Sequence, residues 1–167
     1  IYAAIGIHPN SQVVDIDDEL KKIKPWLFHP KVVAVGEIGL DYYREHVSAS
    51  DQKYRLLRQL DFASEAGLPV IIHNRNAVED LFPLMFKWGE EKQTNSQMAK
   101  SCYGVFHSFS EDEHWARHIV NLGFFIGISG VITFPNARKI KDVVRAIPVA
   151  NFLVETDAPY LSPQPFR

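Results

Sequence analysis

Cysteine and long apolar runs are nearly absent from this sequence, and each absence excludes a class of protein. The single cysteine, Cys102, excludes an internal disulfide and favours a reducing compartment. No apolar run approaches the roughly 20 residues of a membrane-spanning helix, and no signal peptide is visible. We therefore expect a cytoplasmic protein without membrane contacts, and nothing in the sequence indicates an obligate protein partner.

An excess of positive charge is also absent. Lys and Arg number 18 against 20 Asp and Glu, which gives a formal net charge of -2 at pH 7. The chain therefore has no overall basic field that would attract nucleic acid. A nucleic-acid substrate is still compatible with this charge, because bound cations neutralise phosphates locally.

Short apolar runs alternate with helical patterns along the 167 residues, and no linker or low-complexity segment divides them. The apolar runs, which predict strands, are residues 2–7, 32–35, 68–72, 103–106, 124–128 and 152–154. The helical patterns cover residues 17–27, 51–66, 77–88, 110–122 and 136–147. This repetition of βαβ units predicts one α/β domain over residues 1–167.

Local signals set the expected helix boundaries. Pro25 and Pro83 are expected to break the first and third helices, because proline lacks the N–H that a helix interior needs. Ser110 and Glu113 have the spacing of a capping box, which predicts the start of the fourth helix. Residues 90–100 are interpreted as a polar loop.

Two architectures use this alternation: an open doubly wound sheet and a closed (β/α)8 barrel. Six strands do not distinguish the two by number, so the residues at the strand ends have to decide. Polar or ionisable side chains follow every apolar run, namely His8, Glu37, His73, Arg75, His107, Ser108, Ser129, Glu155, Thr156 and Asp157. In α/β barrels the active site is assembled from strand ends at the carboxyl face, so we expect a shared site and favour the barrel.

Each strand-end residue also has a purely structural explanation when it is taken alone. A single histidine usually bonds a backbone carbonyl, and a lone Asp usually caps a helix or forms a turn. Imidazole and carboxylate groups at four separate strand ends, however, make a mixed nitrogen and oxygen set that suits Zn, Mn, Fe or Mg. No GxGxxG, GxSxG or Walker motif offers a competing site. A metal site is therefore the favoured interpretation.

The motifs at these strand ends resemble those of a known family. "GIHP", "VGEIGLDYY", "RQLDFASEAGLPVIIHNR", "GVFHSFS", "GFFIGISG" and "VETDAPYLSP" are similar in order and spacing to motifs of the TatD family of metal-dependent deoxyribonucleases, in the amidohydrolase-like superfamily. The resemblance covers nearly the whole chain. It implies a (β/α)8 TIM-type barrel, of which this chain covers roughly the third to eighth strands.

The resemblance also implies roles for individual residues. It makes Glu37 the bridge between two divalent metal ions (Zn, Mg or Mn), with His73 and His107 binding one of them. It gives the other ion to Asp157, which also acts as the base, so that Asp157 and Glu37 are the catalytic residues. The implied substrate contacts are His8, Arg75, Ser108 and Ser129.

Two motifs of the family have no counterpart in this sequence. The H-x-H pair of the first strand, which completes the second metal site, and the closing GxRNEP segment are both missing. The chain also begins at Ile1, inside a strand-like run and without a methionine. We therefore expect part of a longer enzyme, in which the site of Glu37, His73 and His107 survives and the site that uses Asp157 is impaired.

The expected reaction is the metal-dependent hydrolysis of DNA phosphodiesters from the 3′ end. Two metal ions neutralise the phosphoryl charge, activate water and stabilise the leaving oxygen. Because the chain has no basic groove, DNA ends or a small phosphodiester suit it better than a long duplex. The alternatives are an amidohydrolase-type enzyme that acts on a cyclic amide or ester, and an inactive fragment. Glu37 at the bridging position, where related amide hydrolases carry a carboxylated lysine, favours phosphodiesters.

Overall fold

Six parallel strands form the centre of the fold in the computed structural model, which describes residues 1–44, 46–94 and 103–166. The strands are β1 (Ala3–Ile5), β2 (Val32–Asp41), β3 (Val70–Arg75), β4 (Gly104–Phe106), β5 (Phe124–Ile128) and β6 (Phe152–Val154). Each strand lies at a predicted apolar run, although β2 continues well beyond Val35. The part of β2 beyond Val35 includes two carboxylate residues, Glu37 and Asp41.

The order of the strands distinguishes the two architectures that the alternation permits. A doubly wound sheet reverses its strand order at a switch point, whereas in a (β/α)8 barrel each strand pairs with the next one along the chain. Every described strand here pairs in parallel with its successor, in the order β1-β2-β3-β4-β5-β6. The fold is therefore α/β with the winding of a TIM-type barrel.

Helices connect the successive strands, as the sequence predicts. The α-helices are α1 (Ile16–Ile23), α2 (Ala49–Ala66), α3 (Val78–Thr94), α4 (Glu113–Asn121) and α5 (Arg138–Ala146). Short 3₁₀ helices cover Lys24–Phe28, Gly130–Thr133 and Val149–Asn151. Among the described helices, none combines the length and the apolar character that crossing a membrane requires.

The expectation that Pro83 breaks the third helix is wrong. Pro83 lies inside α3, which continues to Thr94. Leu81, Met85 and Trp88 share one face of this helix and are buried in the core, and their packing offsets the lost backbone hydrogen bond. The predicted loop at residues 90–100 is therefore helical as far as residue 94. Residues 95–100 lie outside the described part of the chain, and so does the single cysteine.

The ends of α1 and α4 also differ from expectation. α1 stops before Pro25, which lies in the first turn of the following 3₁₀ helix and does not interrupt a longer helix. α4 begins at Glu113 because Asp112, and not Ser110, accepts the hydrogen bond from the Trp115 N–H. The Asp112 carboxylate satisfies an otherwise unpaired donor and also interacts favourably with the helix dipole.

The hydrophobic core lies between the sheet and the helices that cover it. Ile38, Ile72 and Ile126 from the strands, together with Leu60 and Ile119 from the helices, are at most 1% exposed. Burial of each such side chain contributes about 1.5–3 kcal/mol relative to its exposure. The helices thus pack against the strands, and residues at the carboxyl ends of the strands line a solvent-accessible cleft.

An irregularity in β2 determines where Glu37 points. Val35 pairs with Val70 and Ile38 pairs with Ile72, so two residues of β2 stand opposite a single residue of β3. An extra residue of this kind re-aims the side chain at the bulge, and such bulges are frequent beside active sites. The side chains before and after the bulge are buried, while Glu37 is only partly buried and faces a cleft.

Candidate metal centre

The carboxyl ends of the strands open into a cleft of about 490 Å³. The predicted site residues that line this cleft are His8, Glu37, His73, Arg75, His107, Ser108 and Asp157. Asp41, Arg44 and Tyr160 line the cleft as well, although the sequence did not assign them to the site. The structure therefore brings side chains from separate strand ends together, as the barrel prediction requires.

Glu37 lies between two imidazoles in this cleft. Its Oε1 atom is 2.6 Å from His73 Nδ1 and 3.6 Å from His107 Nε2. His107 Nε2 is also 3.5 Å from Asp157 Oδ1, so a second carboxylate stands beside the first. Two ring nitrogens and two carboxylate oxygens thus follow one another along the cleft, and nitrogen and oxygen donors of this kind suit a divalent cation such as Zn, Mn or Mg.

The environment of Glu37 keeps its carboxylate charged. Burial opposes ionisation, but the hydrogen-bonded contact with His73 and the charges of His73, His107 and His8 outweigh it. The result is a pKa of Glu37 below its ordinary value. The carboxylate is consequently ionised near neutral pH and ready to bind a cation.

Asp41 contacts His73 on the side of the ring that faces away from Glu37. Asp41 Oδ2 lies 3.3 Å from His73 Nε2, while Asp41 Oδ1 accepts hydrogen bonds from the N–H groups of Tyr43 and Arg44 at 2.9 and 3.0 Å. Burial opposes ionisation of Asp41, but these N–H groups and His73 bring its pKa below the ordinary value. The sequence contained a signal for this residue, because Asp41 follows Glu37 by four residues in the same motif and ends the strand that carries both.

Asp41 also belongs to an overlapping group of possible ligands. One atom each of His8, Asp41 and His73 lie within 4.8 Å of one another, so this group is able to hold a metal ion. The rings of His8 and His73 meet edge to face with centroids 4.6 Å apart. Burial, followed by the nearby charge of His73, lowers the pKa of His8, and a neutral imidazole is the form that binds metals.

Glu155 contacts His107 in the way that Asp41 contacts His73. Its Oε2 atom is 2.8 Å from His107 Nδ1, and its Oε1 atom accepts a hydrogen bond from the Ser108 N–H. The hydrogen bond with Glu155 raises the pKa of His107 against the opposing effect of burial. The sequence places Glu155 at a strand end beside Asp157, but nothing local to that strand shows which imidazole it meets.

Ser108 and Ser129 form a pair whose hydroxyl oxygens are 3.1 Å apart. Ser108 lines the cleft and adopts a left-handed backbone conformation with φ of 43°. Such conformations are costly for residues other than glycine and concentrate at functional sites. Ser129 is buried beneath Ser108 and lines a neighbouring apolar pocket, so the structure does not bring it to the cleft surface.

Cationic side chains form part of the rim of the cleft. The guanidinium group of Arg75 stacks over the Tyr43 ring, with its carbon 3.9 Å from the ring centroid. Arg44 lines the same cleft. A planar guanidinium group beside a cation site is well suited to hold an oxygen of a phosphate or another anion.

Comparison with known proteins shows which family this chain resembles. The model of the family described as TatD related DNase matches residues 1–167. YabD of Bacillus subtilis (strain 168), described as an uncharacterized metal-dependent hydrolase, is 40% identical over 167 residues, which are 100% of this chain and 62% of YabD. A protein of the same description from Buchnera aphidicola subsp. Baizongia pistaciae is 37% identical over 167 residues, which cover 100% of this chain and 59% of that protein.

Solved structures show the same similarity in three dimensions. The crystal structure of YJJV, a TatD homolog from Escherichia coli K12, matches with a TM-score of 0.86 and 36% identity over 98% of this chain and 60% of that chain. A hydrolase TatD family protein from Entamoeba histolytica matches with a TM-score of 0.76 and 28% identity over 96% of this chain and 51% of that chain.

The extent of these matches bears on the barrel. The chain spans about 60% of the length of the curated relatives, while the matches extend over the whole of the chain itself. They do not by themselves assign its strands to the third to eighth positions of a closed barrel, so that assignment stays a prediction. The family match over all residues and the identity to YabD do decide the family. The chain therefore belongs to the TatD family of metal-dependent hydrolases.

Proposed function

We propose that this chain carries the catalytic site of a deoxyribonuclease that removes nucleotides from the 3′ end of DNA. The observation that carries the proposal is the series of contacts that joins His73, Glu37, His107 and Asp157 along one cleft, with 2.6, 3.6 and 3.5 Å between successive donor atoms. The description of the matching family as a DNase supports this substrate, while the names of the relatives specify a hydrolase without a substrate.

The ligand residues have distinct tasks in this proposal. Glu37, His73 and His107 would hold the first of two divalent ions, and Glu37 and Asp157 would supply ligands to the second. When bound, such ions neutralise charge on phosphoryl oxygens and acidify water. Asp157 orients the attacking water and accepts its proton, which a partly exposed carboxylate at the mouth of the cleft is placed to do.

The substrate contacts follow from the rim and from the overall charge. Arg75 binds a phosphate oxygen while the Tyr43 ring beneath it limits the motion of the guanidinium group. His8 and Ser108 line the same cleft and contribute polar contacts to the terminal nucleotide. A chain with a net charge of -2 offers little attraction to a long duplex, so we propose DNA ends as the substrate and the cytoplasm as the location.

The test is an assay of the protein at its natural length with a single-stranded oligonucleotide labelled at its 5′ end. We expect a ladder that shortens stepwise from the 3′ end with Mg, Mn or Zn, and no products with a chelator. Glu37→Gln should lower kcat/KM by more than ~100-fold. Substitution of a residue that only supports a metal ligand costs up to about that much, and Glu37 is proposed to bind the metal directly. Glu113→Gln is the matched control, because the Glu113 carboxylate pairs with Arg117 on the exposed surface of α4 and neither residue lines the cleft.

Three results would contradict the proposal. Cleavage that survives chelation, or that is unchanged in Glu37→Gln, would remove the metal site from the reaction. Hydrolysis of a cyclic amide or ester without cleavage of DNA would favour the alternative amidohydrolase-type activity. Asp157→Asn tests whether Asp157 acts as the base. If it does, the variant should lose far more in kcat than in affinity for DNA ends. An equal loss in both would make Asp157 a binding residue only.

A further inference from the structure

Glu155 is held in place from two directions. Its Oε2 atom meets His107 Nδ1 at 2.8 Å, and its Oε1 atom accepts a hydrogen bond from the Ser108 N–H. Ser108 also has a left-handed backbone conformation, with φ of 43°. Each oxygen of Glu155 therefore has a separate protein partner, and the side chain is not free to exchange them.

The neighbouring strand leaves room for this carboxylate. Gly127 lies on β5, and a Cβ atom added there would be only 2.3 Å from Glu155 Oε1. Any side chain at this position would push the carboxylate away from the Ser108 N–H. The absence of a side chain on Gly127 is thus part of how the fold holds Glu155.

We propose that Glu155 is a positioning residue, which fixes the proton of His107 on Nδ1 and leaves the Nε2 lone pair facing the metal site. His107 Nε2 is the ring nitrogen that faces Glu37 at 3.6 Å and Asp157 at 3.5 Å. A neutral imidazole carries one proton, so a carboxylate at Nδ1 decides which nitrogen binds a cation. The proposal rests on the metal-binding part of the proposed function and is independent of the substrate.

The isosteric substitution Glu155→Gln provides a sharp test, because the amide has only one acceptor oxygen. The Ser108 N–H requires an acceptor, so the amide oxygen takes the place of Oε1 and the amide N–H2 faces His107 Nδ1. His107 must then accept at Nδ1 and carry its proton on Nε2. That proton occupies the position of the metal, although Glu155 itself does not touch the metal.

The experiment measures the tautomer and the metal affinity without any substrate. Metal-free protein labelled with ¹⁵N-histidine is examined by NMR at a series of rising pH values. The tautomer is assigned where the His107 ring signals no longer change with pH, because the ring is then neutral. Native protein should show the His107 proton on Nδ1, and Glu155→Gln should show it on Nε2. The dissociation constant for Zn, measured by calorimetric titration, should rise by about 10–100-fold in Glu155→Gln.

Glu113→Gln is the control here too, because it makes the same chemical change beside Arg117, away from the cleft, and should alter neither quantity. Thermal unfolding of each variant shows whether the fold is intact. A His107 tautomer that is unchanged in Glu155→Gln would overturn the proposal, whatever the Zn affinity does. An inverted tautomer with unchanged Zn affinity would overturn it too, because His107 would then not bind the metal. A failure to cleave DNA with both expected changes present would concern the proposed substrate alone.

Discussion

Each of the two central histidines stands between carboxylates, and this arrangement governs what the site can bind. His73 has Glu37 at one ring nitrogen and Asp41 at the other, while His107 has Glu155 at one and Glu37 and Asp157 at the other. Neutral imidazoles hold a cation without adding charge, and the outer carboxylates orient the rings. Without a cation, the same carboxylates repel one another, and the histidines together with the backbone N–H groups of Tyr43, Arg44 and Ser108 offset part of this repulsion.

The lack of a side chain at Gly127 is expected to be necessary for the contact between Glu155 and His107. Gly127→Ala places a Cβ atom 2.3 Å from the present position of Glu155 Oε1, so the carboxylate must move. If Glu155 orients His107, the affinity for Zn should fall by about 10-fold or more, within the usual range for residues that support a ligand. Calorimetric titration with Zn, alongside thermal unfolding, measures the two effects separately.

Gly67→Ala is the matched control for that substitution. Gly67 ends α2 with φ of 64° and has open space around it, so its substitution costs backbone energy of about 1 kcal/mol without a steric clash. Stability should fall and Zn affinity should not. Equal Zn affinities in native protein and Gly127→Ala would show that the position of Glu155 does not matter to the metal.

At the scale of elements, strand ends supply the chemistry and helices hold the strands. The bulge in β2 turns Glu37 into the cleft. Gly127 of β5 has no side chain, and this leaves the space that the Glu155 carboxylate occupies beside His107. The helices make polar contacts of their own on the outer surface. Asp17 of α1 accepts hydrogen bonds from Tyr54 and Arg58 of α2, at 2.8 and 3.2 Å.

The contact between α1 and α2 predicts a pH dependence of stability. The hydrogen bond from Tyr54, followed by that from Arg58, lowers the pKa of Asp17 from its ordinary value of 3.8. The charge of Asp17 therefore stabilises the fold fully above pH 3.8, and this contribution is lost as the pH falls through the lower folded pKa. Asp17→Asn should reduce the free energy of unfolding slightly at pH 7, and the difference should shrink toward pH 3.

Urea unfolding at several pH values tests this prediction. The effect is small because all three side chains are at the surface, where water and salt screen the charges. Raising the ionic strength should therefore also reduce the difference between Asp17→Asn and native protein. A difference that grows as the pH falls would contradict the assigned direction of the pKa shift.

At the scale of the whole molecule, metal binding is expected to stabilise the fold, because the proposed ligands come from several strands of one sheet. The ligands come from β2, β3 and β4 and from the segment after β6, so a bound ion would tie distant parts of the chain together. Any species that binds the folded state and not the unfolded state raises stability by mass action. The metal site should thus be visible in the stability of the entire fold.

Saturation with metal is expected to raise the melting temperature. A ligand at 100 times its dissociation constant adds about 2.7 kcal/mol, and for a chain of this size each kcal/mol shifts Tm by about 2–4 °C, giving roughly 5–10 °C. Scanning calorimetry with and without Zn measures the shift. Glu37→Gln should abolish most of it, whereas a shift that persists there and disappears in His8→Ala would assign the ion to His8, Asp41 and His73.

The alternation of apolar runs and helical patterns was enough to predict the α/β class and the position of every described strand. It also indicated that side chains following different strands would line one cleft. These features depend on local periodicity, which the chain carries in each segment. Helix boundaries were less well predicted at Pro83 and Ser110. At Pro83, the packing of the buried face of α3 outweighed the tendency of proline to break a helix. At Ser110, the predicted capping box did not form because Asp112 caps the helix.

The sequence by itself determined which side chains stand at the strand ends, because backbone periodicity and composition are properties of neighbouring residues. Only the tertiary structure decided the sequential strand order, the bulge that aims Glu37, and the pairing of Asp41 with His73 and of Glu155 with His107. Those partners are far apart along the chain and meet only when parallel strands align. Their identity depends on ångström-scale distances that packing sets and that local sequence does not encode.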